Sequence, residues 1–272
     1  MKKLSVLLLL FASSLLLQNC KKDAKEDDQN AQVTESDAKM MVESDNATDD
    51  ILDLVDLYGF ENGSSTRSHA LPSCVTQTIV RTGHNVSITW EFDANGCAMP
   101  NGNTYQGTVT IVRNVDLSAM TVTGSVSFDQ FYVNGINIAG GTQFTRMRSN
   151  ANGNPQIDHN FDLTVTFPNG DVAIRQGTRT REWVQGFGTP MHTDDIFLIT
   201  GSAHVQFRNG VVIDYVITSP LHREPPCRYF VSGTVEITKN GQTATLDYGN
   251  GNCDNEATLT LPNGTVRIIH LP

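Results

Sequence analysis

From Val75 to Leu271 the chain lacks apolar residues at helical spacing, which excludes an architecture built on helices for that stretch. It has no Cys-x-x-Cys pair, so its cysteines do not read as a zinc site, and no metal is expected. No Gly-x-Ser-x-Gly elbow is present to expose a nucleophilic serine, and the EF-hand spacing of oxygen ligands is missing from "DANG" and "DYGNGNCDNE". Positive charge is scarce. With Lys2 and Lys3 set aside, 17 basic face 29 acidic residues, a net of −12. That balance argues against nucleic acid or anionic lipid as partners of the whole protein and favours solubility.

Turn and strand signals are abundant. Ten of the 22 glycines follow an asparagine, and "TFPNGDVAI", "AMPNGNTY" and "TLPNGTVRI" place Pro-Asn-Gly between apolar runs. Asn tolerates and Gly readily adopts the positive φ that tight hairpin turns demand. In "VSITWEF", Val86, Ile88, Trp90 and Phe92 point one way while Ser87, Thr89 and Glu91 point the other. Met120 to Phe128 alternate in the same manner, as do Ala244, Leu246 and Tyr248. About thirteen such runs, joined mostly by short turns, predict an all-β antiparallel meander. Each run has one apolar face, so the sheet must fold over as a sandwich or curl into an open or closed barrel.

Turn chemistry predicts register. A three-residue loop at Arg208-Asn209-Gly210 sets Val205 against Ile213 and Ala203 against Tyr215, an apolar match. At Pro168-Asn169-Gly170 proline favours three residues, whereas apolar matching of Val165 with Ile174 favours two. Both registers stay open there.

The first twenty residues, "MKKLSVLLLLFASSLLLQNC", have two lysines, an apolar run too short for a membrane span and a closing cysteine. Residues 1–19 read as a signal peptide, and Cys20 resembles the acylated cysteine of a bacterial lipobox, although Gln18 and Asn19 depart from the strict pattern. Residues 20–47 are charged and aperiodic and read as an acidic tether. A short helix with its linker is expected over 48–72, capped by Thr48, started by Asp49 and Asp50 and ended by Gly59. The β domain then runs over 73–272.

Four cysteines remain, and three connectivities are open to them. Cys74 to Cys97 and Cys227 to Cys253 share a plan of cysteine, strand, turn, strand, an Asp followed by Asn-Gly, and cysteine. A three-residue loop at Lys239-Asn240-Gly241 would also set Cys227 opposite Cys253. Local disulfides Cys74–Cys97 and Cys227–Cys253 are therefore expected in an exported protein.

His192, Asp194 and Asp195 share a polar loop, and His204 falls opposite Asp214, where an ion pair is the plainer reading than part of a catalytic triad. "AIRQGTRTREWV" is more unusual. Unbroken alternation puts Arg175, Arg179, Arg181 and Trp183 on one face, opposite Val172 and Ile174, as a candidate surface for anions and ring stacking. The alternative is a bulge at Gly177 that turns Trp183 into the core while the arginines pair with Asp158 and Asp162.

"TRTREWVQGF", "DDIFLITGSA", "CRYFVSGTVEIT" and "TLDYGNGNCDNEATLTLPNG" resemble segments of a family of uncharacterised Bacteroidota, mostly flavobacterial, surface lipoproteins, over most of residues 74–272. The resemblance implies an origin and an outer-membrane, cell-surface address, and carries no activity, ligand or catalytic residue. The expectation is a lipid-anchored binding or adhesion module for a glycan or surface protein, with no cofactor. The alternative is a structural or assembly lipoprotein without soluble ligand, and a hydrolase is the minority reading.

Overall fold

The computed structural model describes residues 32–59, 71–189, 193–225 and 227–272. The signal segment at 1–19, Cys20, the start of the tether and His192 lie outside them. The described residues form one helix, α1 (Glu35–Tyr58), followed by β1 (Val75–Thr82), β2 (Asn85–Ala98), β3 (Thr104–Asp116), β4 (Thr121–Val133) and β5 (Ile136–Met147). Then come β6 (Gln156–Thr166), β7 (Val172–Gln185), β8 (Ile196–Phe207) and β9 (Val212–Arg223). The last strands are β10 (Ser232–Lys239), β11 (Gln242–Asn250), β12 (Glu256–Thr260) and β13 (Val266–His270).

Consecutive strands pair antiparallel in chain order, giving a 13-stranded meander whose unpaired edges are β1 and β13. The sheet is therefore open rather than closed, and its apolar face packs on a helix instead of a second sheet. Laid flat, thirteen strands would span roughly 60 Å, while a helix is only about 10 Å wide. Yet α1 meets β2 where the Tyr58 ring stands edge-on to Trp90 (6.4 Å), and meets β13 where Glu35 lies 3.5 Å from Arg267. One helix reaches both ends of the sheet because the sheet curls around it. Met41, Ile51, Leu54 and Val55 of α1 join Trp90, Tyr105, Ile111, Phe131, Leu163 and Leu246 in one core.

Curling crowds the inner face, and glycines relieve it. A Cβ on Gly124 would lie 2.2 Å from the Val112 carbonyl oxygen and 2.7 Å from the Phe144 ring; one on Gly177 would meet Ser202 O at 2.2 Å and Phe161 at 2.9 Å. Each glycine lets a neighbouring ring cover its backbone, a device that permits sharp local curvature.

The helix corrects the expected boundaries. It is 24 residues long, and its start is a capping box at Thr34, whose hydroxyl accepts from Asp37 N while the Asp37 carboxylate accepts from Thr34 N. Thr48, expected as the cap, is buried in mid-helix and donates to Ser44 O (3.0 Å). Residues 35–47 thus belong to the helix that packs on the sheet, not to a tether. Their apolar periodicity is weak because Asp37, Ser44 and Asp45 are themselves buried. At the other end Gly59 N–H donates to Val55 O, and the Arg113 guanidinium donates to Gly59 O (2.9 Å), placing positive charge at the negative helix end.

Both expected disulfides form, with Cα–Cα separations of 5.5 Å for Cys74–Cys97 and 5.7 Å for Cys227–Cys253. At Arg208-Asn209-Gly210 the three-residue loop holds, pairing Val205 with Ile213. Pro168-Asn169-Gly170 takes three residues as well, so Val165 faces Ala173. At Asn240-Gly241 the expectation is wrong by one: Lys239 pairs with Gln242 across a two-residue turn with positive φ at both positions. Cys227 and Cys253 lie beyond the paired strands, so their disulfide does not depend on that register.

Candidate functional site

β7 alternates without a bulge at Gly177; its irregularity comes only between Trp183 and Gln185. Arg175, Arg179 and Arg181 therefore share one face, but it is the inner one. They are 0%, 2% and 7% exposed, whereas Ile174 on the opposite face is 41% exposed. Asp158 and Asp162 do not pair with them: Asp158 accepts from Gln156 and Thr180, and Asp162 from Gln176. The open arginine surface anticipated from alternation is not present. The carboxylates that meet these arginines come from α1.

Asp45, Asp49 and Asp53 are four apart and line one side of the helix. Four helix residues advance about 6 Å and two strand residues about 6.6 Å, so Asp49 and Asp53 keep step with Arg179 and Arg181, whereas Arg175 and Arg179, four strand residues apart, converge on Asp45. Arg175 pairs with Asp45 and donates to Ser44 Oγ (2.6 Å). Arg179 also pairs with Asp45, lies 3.4 Å from Asp49 and donates to the Tyr215 hydroxyl (3.2 Å). Arg181 pairs with Asp53, with Asp56 at 3.6 Å. Flanking pairs extend the ladder: Lys239–Asp37 (2.9 Å), His159–Asp56 (3.1 Å) and Arg223–Asp53 (3.5 Å).

Burial by itself would raise the Asp45 carboxyl, but the guanidiniums of Arg179 and Arg175 and the Tyr215 hydroxyl outweigh it and hold it below the usual range. Asp49 goes the other way. Burial, with the like charges of Asp45 and Asp53, lifts it to about 7 against the pull of Arg179 and Arg181. Burial likewise raises the Tyr215 hydroxyl. At Arg175 and Arg179 the ladder is buried and closed to ligand, and only Arg181 also borders a cleft; the i, i+4 spacing of the three aspartates marks an acidic stripe in the sequence but not the strand that meets it.

Trp183 has a different environment. It is half-buried, with Phe187 edge-on at 5.1 Å and Phe197 tilted at 5.3 Å. Beside it, at the C-terminal turn of α1, opens a cleft of about 50 Å³ whose wall includes Asp56, Arg146, Gln156, Arg181, Trp183 and Phe197. Arg181 lies 4.3 Å over the Phe197 ring, so guanidinium and aromatic surfaces are continuous there. Arg146 is cross-strand from Ile157, which is cross-strand from Arg181, so one row of the inner face supplies both cations. A space of this size holds a few waters or one small polar group.

His204 and Asp214 form the expected cross-strand pair (2.8 Å), both exposed on the outer face. No group of three or more metal-ligating acidic, His or Cys side chains occurs among the described residues. Nor is any described helix long and apolar enough to cross a membrane. Compared with known proteins, the chain matches no family model, no curated protein and no solved structure.

Proposed function

We propose that the protein is an outer-membrane lipoprotein, anchored through lipid on Cys20 and displayed at the cell surface of a Gram-negative bacterium, whose β domain binds a glycan or a surface protein. The observation that carries the binding reading is the cleft beside Trp183, where an aromatic wall meets the Arg146 guanidinium, with Arg181, held by Asp53 and Asp56, behind them. At about 50 Å³ it admits a carboxylate or a similar substituent, not a whole ligand, so the rest of the ligand would lie against Trp183 at the rim. Acidic sugars and acidic peptides both supply that combination.

A glycan array and a panel of outer-membrane proteins, probed with the lipid-free chain, test this reading. Trp183→Ala and Arg146→Gln should each lose the binding that the parent chain shows. Trp183 is only half-buried, so its truncation should cost less than the about 3 to 5 kcal/mol of a fully buried aromatic, which calorimetry measures. A structural or assembly role without soluble ligand is the second reading, favoured by the burial of Arg175 and Arg179 against α1. Binding of nothing in either panel, or binding that survives both substitutions, supports that role instead.

A further inference from the structure

β1 contributes almost nothing to the core. Seven of its eight residues are exposed. Ile79 is cross-strand from buried Ile88 yet is 40% exposed, and Val80 on the other face is 57% exposed. The strand is held by β2 along one side and by Cys74–Cys97 at its start. Its other side has no strand partner among the described residues, which leaves a row of backbone donors and acceptors open.

Sheet edges are commonly protected by shortness, proline, lysine or a bulge. β13 is protected in this way, being five residues long and carrying Arg267 and His270. β1 is longer and has no proline, lysine or bulge: "VTQTIVRT" pairs with β2 over its full length in unbroken register, and Arg81 near its end is its one charge. A covalent link thus retains a strand whose side chains bury little and whose edge is unpaired among the described residues.

We propose that β1 is a self-association edge, at which two copies of the chain pair antiparallel about a two-fold axis through Ile79 and join their sheets into one. In that register Ile79 meets its own counterpart, Gln77 faces Arg81, Thr78 faces Val80 and Thr76 faces Thr82. The pairing is self-complementary: it opposes no like charges, gives the lone guanidinium an amide oxygen and covers both exposed apolar residues. A two-fold contact uses up both copies of β1 and stops at a dimer, whereas joining β1 to β13 of another copy would propagate.

Sedimentation of the Cys20→Ser chain over a concentration series should show a reversible monomer–dimer equilibrium. Ile79→Lys sets two ammonium groups against each other on the axis and should weaken the dimer about tenfold or more. Under mild oxidation Ile79→Cys should cross-link two chains, because only a residue on the axis meets itself, while Thr76→Cys should not. If Ile79→Lys fails to fold, the cysteine pair still carries the test. Monomer at every concentration, polymers in place of dimers, an unchanged Ile79→Lys dimer, or equal cross-linking by both cysteines would each overturn the proposal.

Discussion

Asp49 and Asp45 occupy successive turns of α1 and face the same guanidinium, yet they respond to it in opposite directions. Oδ1 of Asp49 lies 3.4 Å from Arg179 Nε, and its Oδ2 has no hydrogen-bond partner among the described residues. Its carboxyl is lifted to about 7, above the about 3.9 of an unfolded chain. A raised folded value means stability that is complete below about 4 and is lost as pH climbs through about 7. Asp49→Asn should therefore raise the melting temperature at pH 8 and change it little at pH 5. An equal shift at both pH values would show that Asp49 is not the titrating group. Asp45 is held low, so its contribution is present above the usual carboxylate range and fades as pH falls below it. Asp45→Ala leaves Arg175 and Arg179 buried beside an empty site and should cost about 3 to 5 kcal/mol in denaturant unfolding at neutral pH. A loss under about 1 kcal/mol would mean that the ladder relaxes onto its remaining carboxylates.

Among the elements, the strands were readable and the helix only partly so. Period two along "VSITWEF" and Ala244 to Tyr248 identified strand faces because one side of each strand stays in water. Gly59 ends the helix as the sequence suggests, but Thr34 and not Thr48 starts it. Between Glu35 and Ala47 the buried side of α1 carries Asp37, Ser44 and Asp45, so hydrophobicity under-reports what is inside. β1 is the converse case, a strand in pattern whose side chains stay largely in water. Its dependence on the Cys74–Cys97 link can be measured. The double change Cys74→Ser with Cys97→Ser removes a loop constraint worth roughly 3 kcal/mol in the chain-entropy model. It should raise hydrogen exchange along β1 and its pairing with β2 while β6 to β9 remain protected. Uniform loss of protection across the sheet would contradict this division.

At the scale of the whole molecule, among the described residues a single helix fills a sheet on which no second sheet is packed. Val33 is already buried and Thr34 caps α1, so the packed domain begins at the N-terminal end of the helix. Mass spectrometry of the mature N-terminus should find acylated Cys20, and Cys20→Ser should release the protein from the membrane fraction. An unmodified start at another residue would rule out the anchor.

The number of strands, their antiparallel order, the one-sided burial and both disulfides were determined by the sequence itself, because hairpin turns and period-two alternation act between near neighbours. The destination of the arginine face was decided only in three dimensions. Alternation grouped Arg175, Arg179, Arg181 and Trp183 on one side of β7, but whether that side met water or carboxylates depended on α1, more than a hundred residues away in the chain. A guanidinium is buried when a carboxylate is brought within reach of it, and only the curled sheet brings Asp45, Asp49 and Asp53 to those three arginines while leaving Trp183 at the rim.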